Sequence, residues 1–362
     1  MKLGLFSLMI QPDAATTPRQ VLESTRLMVE GAEQAGFETA WFAEHHFTNY
    51  SICPSPLMMA AYAAGFTHRI KLGTAVVVIP FYHILRMVEE IGLLDVQSNG
   101  RAMIGLGYGY QQHEFDRFNR QSKDKVEIAL EAFDIIDMAL RTGEVAYKGK
   151  HYDISKVQLS IRPMHVPDIY VTGLEPIILQ RIAKSGYTPY FSYGNSGLEF
   201  AVSTRKHIDN QYRIAGIDPA RGPLCVNHSV FVTDDKAVAL RATEGVREIA
   251  RIVAAMRSGS VGLDGYFVKA PPYKDEPSLE TMMANVAVGD PHHVAEVLVE
   301  AIKALGTTHL GCFMLYPSVT GKEARRSMDR FATEVVPLME KALGMPLDKV
   351  NAERDGGQAK AA

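Results

Sequence analysis

The sequence predicts an α/β fold, a (β/α)8 barrel with an excursion before the last strand. Three observations carry that prediction. Eight short apolar runs recur along the 362 residues. Helix-period stretches separate them. Many of the runs are hydrophobic throughout, as strands of a parallel sheet buried on both faces must be. A count of eight in a chain of this length favours closure into a barrel over an open doubly wound sheet.

The runs lie at 3–10 (LGLFSLMI), 38–43 (ETAWFA), 70–79 (IKLGTAVVVI) and 102–107 (AMIGLG), then at 168–173, 188–193, 224–233 and 310–315. Between the first two, residues 18–35 follow Thr17 and place Val21, Leu22, Leu27 and Met28 at helical spacing. Residues 122–141 do the same with Ile128, Leu130, Phe133, Ile136 and Leu140. Asp290 then Pro291 is a helix start, an N-cap oxygen followed by a proline in the first turn, and Gly306 ends that helix. Two connections exceed the repeat. Residues 143–166 are rich in Lys, Tyr and Pro, and residues 257–288 form an excursion with glycines and paired prolines, of a length typical of a lid. No Pro/Ser-rich linker divides the chain. Residues 1–346 therefore read as one domain with 257–288 as its lid, and residues 347–362 as a disordered tail.

Composition narrows the function classes. The chain is 47% hydrophobic and 22% charged with a formal net charge of −3, and it has no basic run to recruit nucleic acid. Cys53, Cys225 and Cys312 lie far apart without metal spacing, which suits buried thiols in a reducing cytoplasm. The opening MKLGLFSLMI is too short an apolar core for a signal peptide and reads as the first strand. No segment approaches the roughly 20 apolar residues of a membrane span. The expected setting is cytoplasmic, with no membrane or nucleic-acid partner.

A barrel carries its chemistry at the C-terminal ends of its strands. Strand 2 ends in WFAEHHF, residues 41–47, where Glu44, His45 and His46 interrupt the apolar pattern. Adjacent residues of a strand point to opposite faces, so two neighbouring imidazoles are poorly placed to share a metal ion, and no HxH or HExxH occurs. An isolated histidine is more often a core residue bonded to a carbonyl. The strand-end position shifts the reading of His45 to an acid–base group. GLGYG (105–109) lacks the GxGxxG spacing of a nicotinamide site and reads as a turn where backbone approaches a ligand. IYVTGLEPIILQRIAKSG (169–186) is a strand-to-helix turn that suits a phosphate or serves simply as a connection. Glu89, Glu90 and Asp95 read as helix-face partners of Arg86, Arg101 or solvent. The remaining strand ends offer Tyr82, Tyr108, Tyr110, Thr172, Ser192 and Tyr193, a rim with few full charges that suits a flat, partly polar ligand.

Together these pieces resemble the bacterial luciferase-like flavin monooxygenases along nearly the whole chain. The matching stretches are LGLFSLMIQP, GFETAWFAEHHF, KLGTAVVVIPFYHILRMVEEIGLLDVQSNGR, IGLGYGYQQHEF, VGDPHHVAEVL and GTTHLGCFML. The resemblance implies His45 as the catalytic acid–base residue, with Glu44 orienting the strand end. It implies FMN binding by Ala75 and Val76 under the ring, joined by a cis peptide, and by Gly107, Tyr108, Thr172, Gly173 and Ser192 along the tail. The expected reaction has reduced FMN, delivered by a separate flavin reductase, form a C4a-hydroperoxide with molecular oxygen. One oxygen atom then enters a small apolar or aromatic substrate, by aldehyde or ketone oxidation or by hydroxylation. Helices near 54–66 and 84–97 would form a homodimer. Two alternatives share the fold: a deazaflavin F420-dependent hydride-transfer enzyme and a non-catalytic flavin-binding partner subunit. The chain departs from the pattern where Tyr108 replaces a phosphate-binding arginine and where strand 5 ends VTGLEP, which is similar to type II Baeyer–Villiger monooxygenases.

Overall fold

The computed structural model describes residues 1–194, 196–258 and 261–354. Eight parallel strands form its centre: β1 (Lys2–Ser7), β2 (Thr39–Phe42), β3 (Lys71–Thr74), β4 (Ala102–Gly107), β5 (Asp168–Val171), β6 (Thr188–Ser192), β7 (Cys225–Val232) and β8 (His309–Phe313). Each pairs with its successor and β8 pairs with β1, so the sheet closes. The alternation of apolar runs and helical stretches thus produces the predicted (β/α)8 barrel. Helices begin where the sequence signals them. Thr17 closes a capping box with Gln20 at the start of Pro18–Gln34, and the Asp290 carboxylate accepts from the His292 and His293 amides.

The interior below the mouth is filled by one layer of large side chains. Trp41, Met103, Tyr170, Tyr190 and Cys225 come from five different strands and pack together. The Trp41 ring meets Tyr170 edge-on, with centroids 4.6 Å apart at 74°. Glycine makes room for it, because a Cβ on Gly73 would overlap the indole. Beneath, His309 Nε2 lies 2.9 Å from the Tyr170 hydroxyl and Nδ1 lies 2.9 Å from Thr308 Oγ1. The barrel is a packed core at this level. All three cysteines are buried.

Four stretches differ from the sequence reading. The run 70–79 is broken: β3 stops at Thr74, the Ala75–Val76 peptide is cis, and Val77–Val78 pair with Leu106 and Gly107 of β4. The cis peptide is the one the family resemblance implied; the end of the strand at Thr74 is what the apolar run did not show. The 143–166 connection contains an antiparallel hairpin, Glu144–Lys148 with Asp153–Gln158. The excursion is also structured, with a small hairpin (Leu263–Asp264 with Phe267–Val268), a helix (Leu279–Asn285) and a strand (Ala287–Gly289) that pairs with the end of β7. Finally, the packed chain runs past residue 346. Leu347 and Val350 are buried, and their carbonyls accept from the Met1 amine at 2.5 and 2.6 Å. Apolar contact and a charged donor therefore anchor a segment that composition assigned to a disordered tail. Residues 355–362 of that tail lie outside the described residues.

Candidate active site

The site is built from the ends of β2 and β4. The Ala75 amide donates to the Phe42 carbonyl, which turns β3 across the end of β2. The chain then leaves the sheet, and the His45 amide donates to the Cys53 carbonyl at 3.3 Å. These bonds fix where the two imidazoles start. They go different ways.

The His45 ring packs 4.7 Å from Tyr50 and 5.9 Å from Tyr110. Its Nδ1 has two neighbours, the Gln111 amide nitrogen at 2.8 Å and Glu114 Oε1 at 3.3 Å. No described residue bonds its Nε2. The side chain keeps 13% of its surface open, whereas Glu114 keeps 1%. Burial raises the Tyr50 hydroxyl, which remains a protonated donor at neutral pH, while the Tyr110 side chain is exposed. The Arg257 guanidinium lies 5.3 Å from the Tyr110 ring centre.

His46 sits among phenylalanines, with ring centres of Phe118, Phe47 and Phe81 at 4.7, 5.7 and 5.8 Å. Its Nε2 lies 3.0 Å from Glu44 Oε1. The other Glu44 oxygen accepts from Tyr82 Oη at 2.8 Å and from the Val78 amide at 3.2 Å. Burial raises the Glu44 carboxyl above the usual range, against the opposing pull of His46, Tyr82 and Val78. No described contact joins the Glu44 carboxylate to the His45 ring. Glu44 ties the end of β2 to the segment after β3. Among the described residues no group of three or more metal-ligating side chains could hold an ion.

The expected cofactor residues occupy successive strand ends. Ala75, Val76, Thr172 and Gly173 are half-buried and Ser192 is exposed, while Gly107 and Tyr108 are buried. Gly107 faces Val76 and Thr172, so these three come together. No described contact joins Ser192 of β6, which pairs with Asn227 of β7, to these three. Half-buried Ala75–Val76 beside the Thr172 hydroxyl fits a flat ring with a hydroxylated side chain. The phosphate end fits less simply. The Tyr108 hydroxyl donates to the Glu175 carboxylate, at the first turn of helix Pro176–Ser185. Gly173, at φ 139°, lies against that tyrosine, and any Cβ there would overlap its ring. Lys125 Nζ lies 5.8 Å from the Tyr108 ring centre and donates to the Gly109 carbonyl at 3.1 Å.

The excursion reaches this rim. Tyr266 Oη donates to Gln11 Oε1 at 2.7 Å, the Asn49 amide donates to the Tyr266 carbonyl at 2.9 Å, and the Val268 amide donates to Asn49 Oδ1 at 2.9 Å. The small hairpin is thereby tied to the ends of β1 and β2. Of the other carboxylates weighed from sequence, Glu90 pairs with Arg86 at 2.7 Å, and Asp95 accepts from the Met164 and His165 amides. Sequence reasoning missed Gln111 and Glu114. Their signal was QQHEF directly after Tyr110, a polar run beginning at a strand end.

Known proteins share this architecture. A family model described as luciferase-like monooxygenase matches residues 1–309. The uncharacterized protein y4vJ of Sinorhizobium fredii is 30% identical over 95% of this chain and 99% of its own. The alkanal monooxygenase alpha chain of the Kryptophanaron alfredi symbiont is 32% identical over 52% of this chain and 50% of its own length, so the match spans about half of that relative. Among solved structures, the monooxygenase RslO1 from Streptomyces bottropensis superposes with a TM-score of 0.81 at 21% identity, over 93% of this chain and 99% of the other. The oxygenating constituent of 3,6-diketocamphane monooxygenase from Pseudomonas putida, a type II Baeyer–Villiger monooxygenase in complex with FMN, gives 0.73 at 21%, over 93% and 98%. An F420-dependent secondary alcohol dehydrogenase gives 0.72 at 16%, over 93% and 98%. No helix of the described residues is long and apolar enough to cross a membrane.

Proposed function

We propose, for a chain that belongs to the luciferase-like monooxygenase family, that it is a two-component, reduced-FMN-dependent monooxygenase acting on a small apolar or aromatic organic substrate. The observation that carries this reading is His45, an imidazole at the barrel mouth with one nitrogen engaged and the other free of described partners. Relatives described as alkanal monooxygenases and a fold neighbour described with FMN support oxygen transfer beside a carbonyl and FMN as the cofactor.

Reduced flavin, when bound, supplies the electrons that activate molecular oxygen for transfer of a single atom. Ala75 and Val76 would face its ring, and Gly107, Thr172, Gly173 and Ser192 its side chain. Tyr108, held by Glu175, would border the tail. His45 takes a proton at Nε2 and later returns it, the exchange that oxygen insertion requires. Glu44 holds the strand end on which His45 stands. The excursion, tied to Gln11 and Asn49, acts as the lid that keeps bulk water from the mouth. Met58 and Tyr62 on helix Pro56–Ala64, with Leu93 and Val96 on helix Ile84–Gln97, are exposed and support a homodimer through these helices.

The test is an anaerobic titration with reduced FMN and, separately, with reduced F420, followed by 18O-labelled oxygen and a panel of aldehydes, ketones and aromatic compounds. The expected result is saturable binding of reduced FMN and product carrying one labelled atom. Binding of reduced F420 alone, with reduction of a ketone or aldehyde to its alcohol and oxidation of the cofactor, both indifferent to oxygen, would establish the hydride-transfer reading, which the F420-dependent fold neighbour favours. Flavin binding without turnover of any compound would indicate a partner subunit.

A further inference from the structure

We propose that Glu114 is a positioning residue that holds neutral His45 with its proton on Nδ1, making Nε2 the atom that accepts a proton. The inference rests on the reading of His45 as the acid–base group. Two side chains face Nδ1, the Gln111 amide nitrogen at 2.8 Å and Glu114 Oε1 at 3.3 Å. They are not equivalent. A carboxamide serves either form of the ring, because its nitrogen donates to a bare Nδ1 and, after a half-turn, its oxygen accepts from an Nδ1–H. A carboxylate only accepts. A bare Nδ1 would set a lone pair against Oε1, and a proton there turns the same contact into a charge-assisted hydrogen bond.

The surroundings of Glu114 point the same way. Its side chain is 1% exposed, and no described lysine or arginine pairs with it. A buried carboxylate needs donors. The same Oε1 takes one from the His46 amide at 2.8 Å, and the second available to it is His45 Nδ1–H. Gln111 Oε1 is buried without a partner, while Gln111 Nε2 lies 3.1 Å from Tyr110 Oη. The half-turn would place that oxygen between two donors, Nδ1–H and the Tyr110 hydroxyl, and carry the amide nitrogen to the position the oxygen leaves. When Nε2 takes up a proton, the positive charge forms beside the Glu114 carboxylate, which stabilises it. Glutamine at 114 keeps the shape and loses both constraints, since its amide can donate to a bare Nδ1.

The experiment is long-range 1H–15N NMR of the full chain with 15N-labelled histidine at alkaline pH, with His45 assigned through His45→Gln. The expected wild-type spectrum has a pyrrole-type Nδ1 and a pyridine-type Nε2. Glu114→Gln should move the pattern towards the other tautomer, and Gln111→Ala should leave it in place. In turnover with reduced FMN, Glu114→Gln should lower kcat by about 10²-fold with KM little changed, and Glu114→Asp should recover part of the loss. A wild-type Nε2–H form, or a Glu114→Gln spectrum identical to wild type, would overturn the proposal. The wild-type spectrum decides even if Glu114→Gln does not fold. Should the tautomer respond as expected while His45→Ala leaves oxygen transfer intact, the role of Glu114 on the ring stands and the acid–base reading of His45 falls.

Discussion

Two histidines of this barrel stand in opposite environments. At the closed end, His309 of β8 is 3% exposed and has both ring nitrogens engaged, by Tyr170 and Thr308. Burial, reinforced by Lys2, lowers it to about 3, so it stays neutral across the physiological range. At the mouth, His45 is engaged through one nitrogen and keeps part of its ring open. Sequence shows an imidazole in each place. The fold engages both nitrogens of one and leaves the other with a nitrogen free of described partners. Satisfaction of both nitrogens suits packing, and acid–base work needs one nitrogen held and the other both free and reachable. Buried His228, with Nδ1 on the Ser229 carbonyl and an unpartnered Nε2, does not offer that.

The contrast breaks first at His45. His45→Ala should lower kcat by about 10²- to 10⁴-fold, while denaturant unfolding shifts by about 1 kcal/mol, the worth of the hydrogen bonding lost at Nδ1. Trp41→Ala, in the closed layer, should do the reverse. A loss of about 3–5 kcal/mol in unfolding free energy is expected from so large a cavity, and the activity of molecules that remain folded should suffer only indirectly. Next comes pH. The folded-state value of His309 is depressed, so its contribution is fully present above the unfolded value near 6.5 and is lost as pH falls from there towards about 3. Between pH 7 and 5 this histidine should remove on the order of 1–2 kcal/mol, and urea unfolding of His309→Gln should show a correspondingly smaller fall. Glu44 has the opposite sign. Its raised carboxyl contributes at low pH and loses that contribution as pH rises, so the wild-type curve alone cannot stand in for the variant. The smallest effect concerns the lid. Tyr266→Phe removes the bond to Gln11, worth about 1 kcal/mol locally. Hydrogen exchange should quicken in 263–268 without a change in global stability, and more of the consumed oxygen should appear as hydrogen peroxide.

The barrel was legible because each strand is an apolar run, and the alternation with helices leaves few other ways to bury eight of them. His45 could be singled out as a candidate because it stands just past a strand's C-terminal end, where a barrel gathers its chemistry. What escaped the sequence was what the fold brings from afar. Glu114 stands 69 residues from His45, and its carboxylate arrives through a six-residue helix, Gln112–Arg117, that has no clear periodic signal. The Tyr108–Glu175 pair joins the ends of two strands 67 residues apart, and only the closed sheet sets them side by side. The cis peptide after Thr74 was expected from the family resemblance, whereas the early end of β3 was not visible in the run 70–79. The tail misled in the other direction, since Leu347 and Val350 are two apolar residues in a polar stretch, and it is their burial beside Met1 that orders it.

The most direct test of the central claim mixes anaerobic protein carrying reduced FMN and an aldehyde or ketone with buffer equilibrated with 18O-labelled oxygen, and follows flavin reoxidation and labelled product, in wild type and His45→Ala. The account predicts that wild-type protein slows reoxidation relative to free FMN and couples it to one labelled atom in the product, and that His45→Ala still binds the flavin but loses the coupled product. Equal product yields from the two proteins would contradict it.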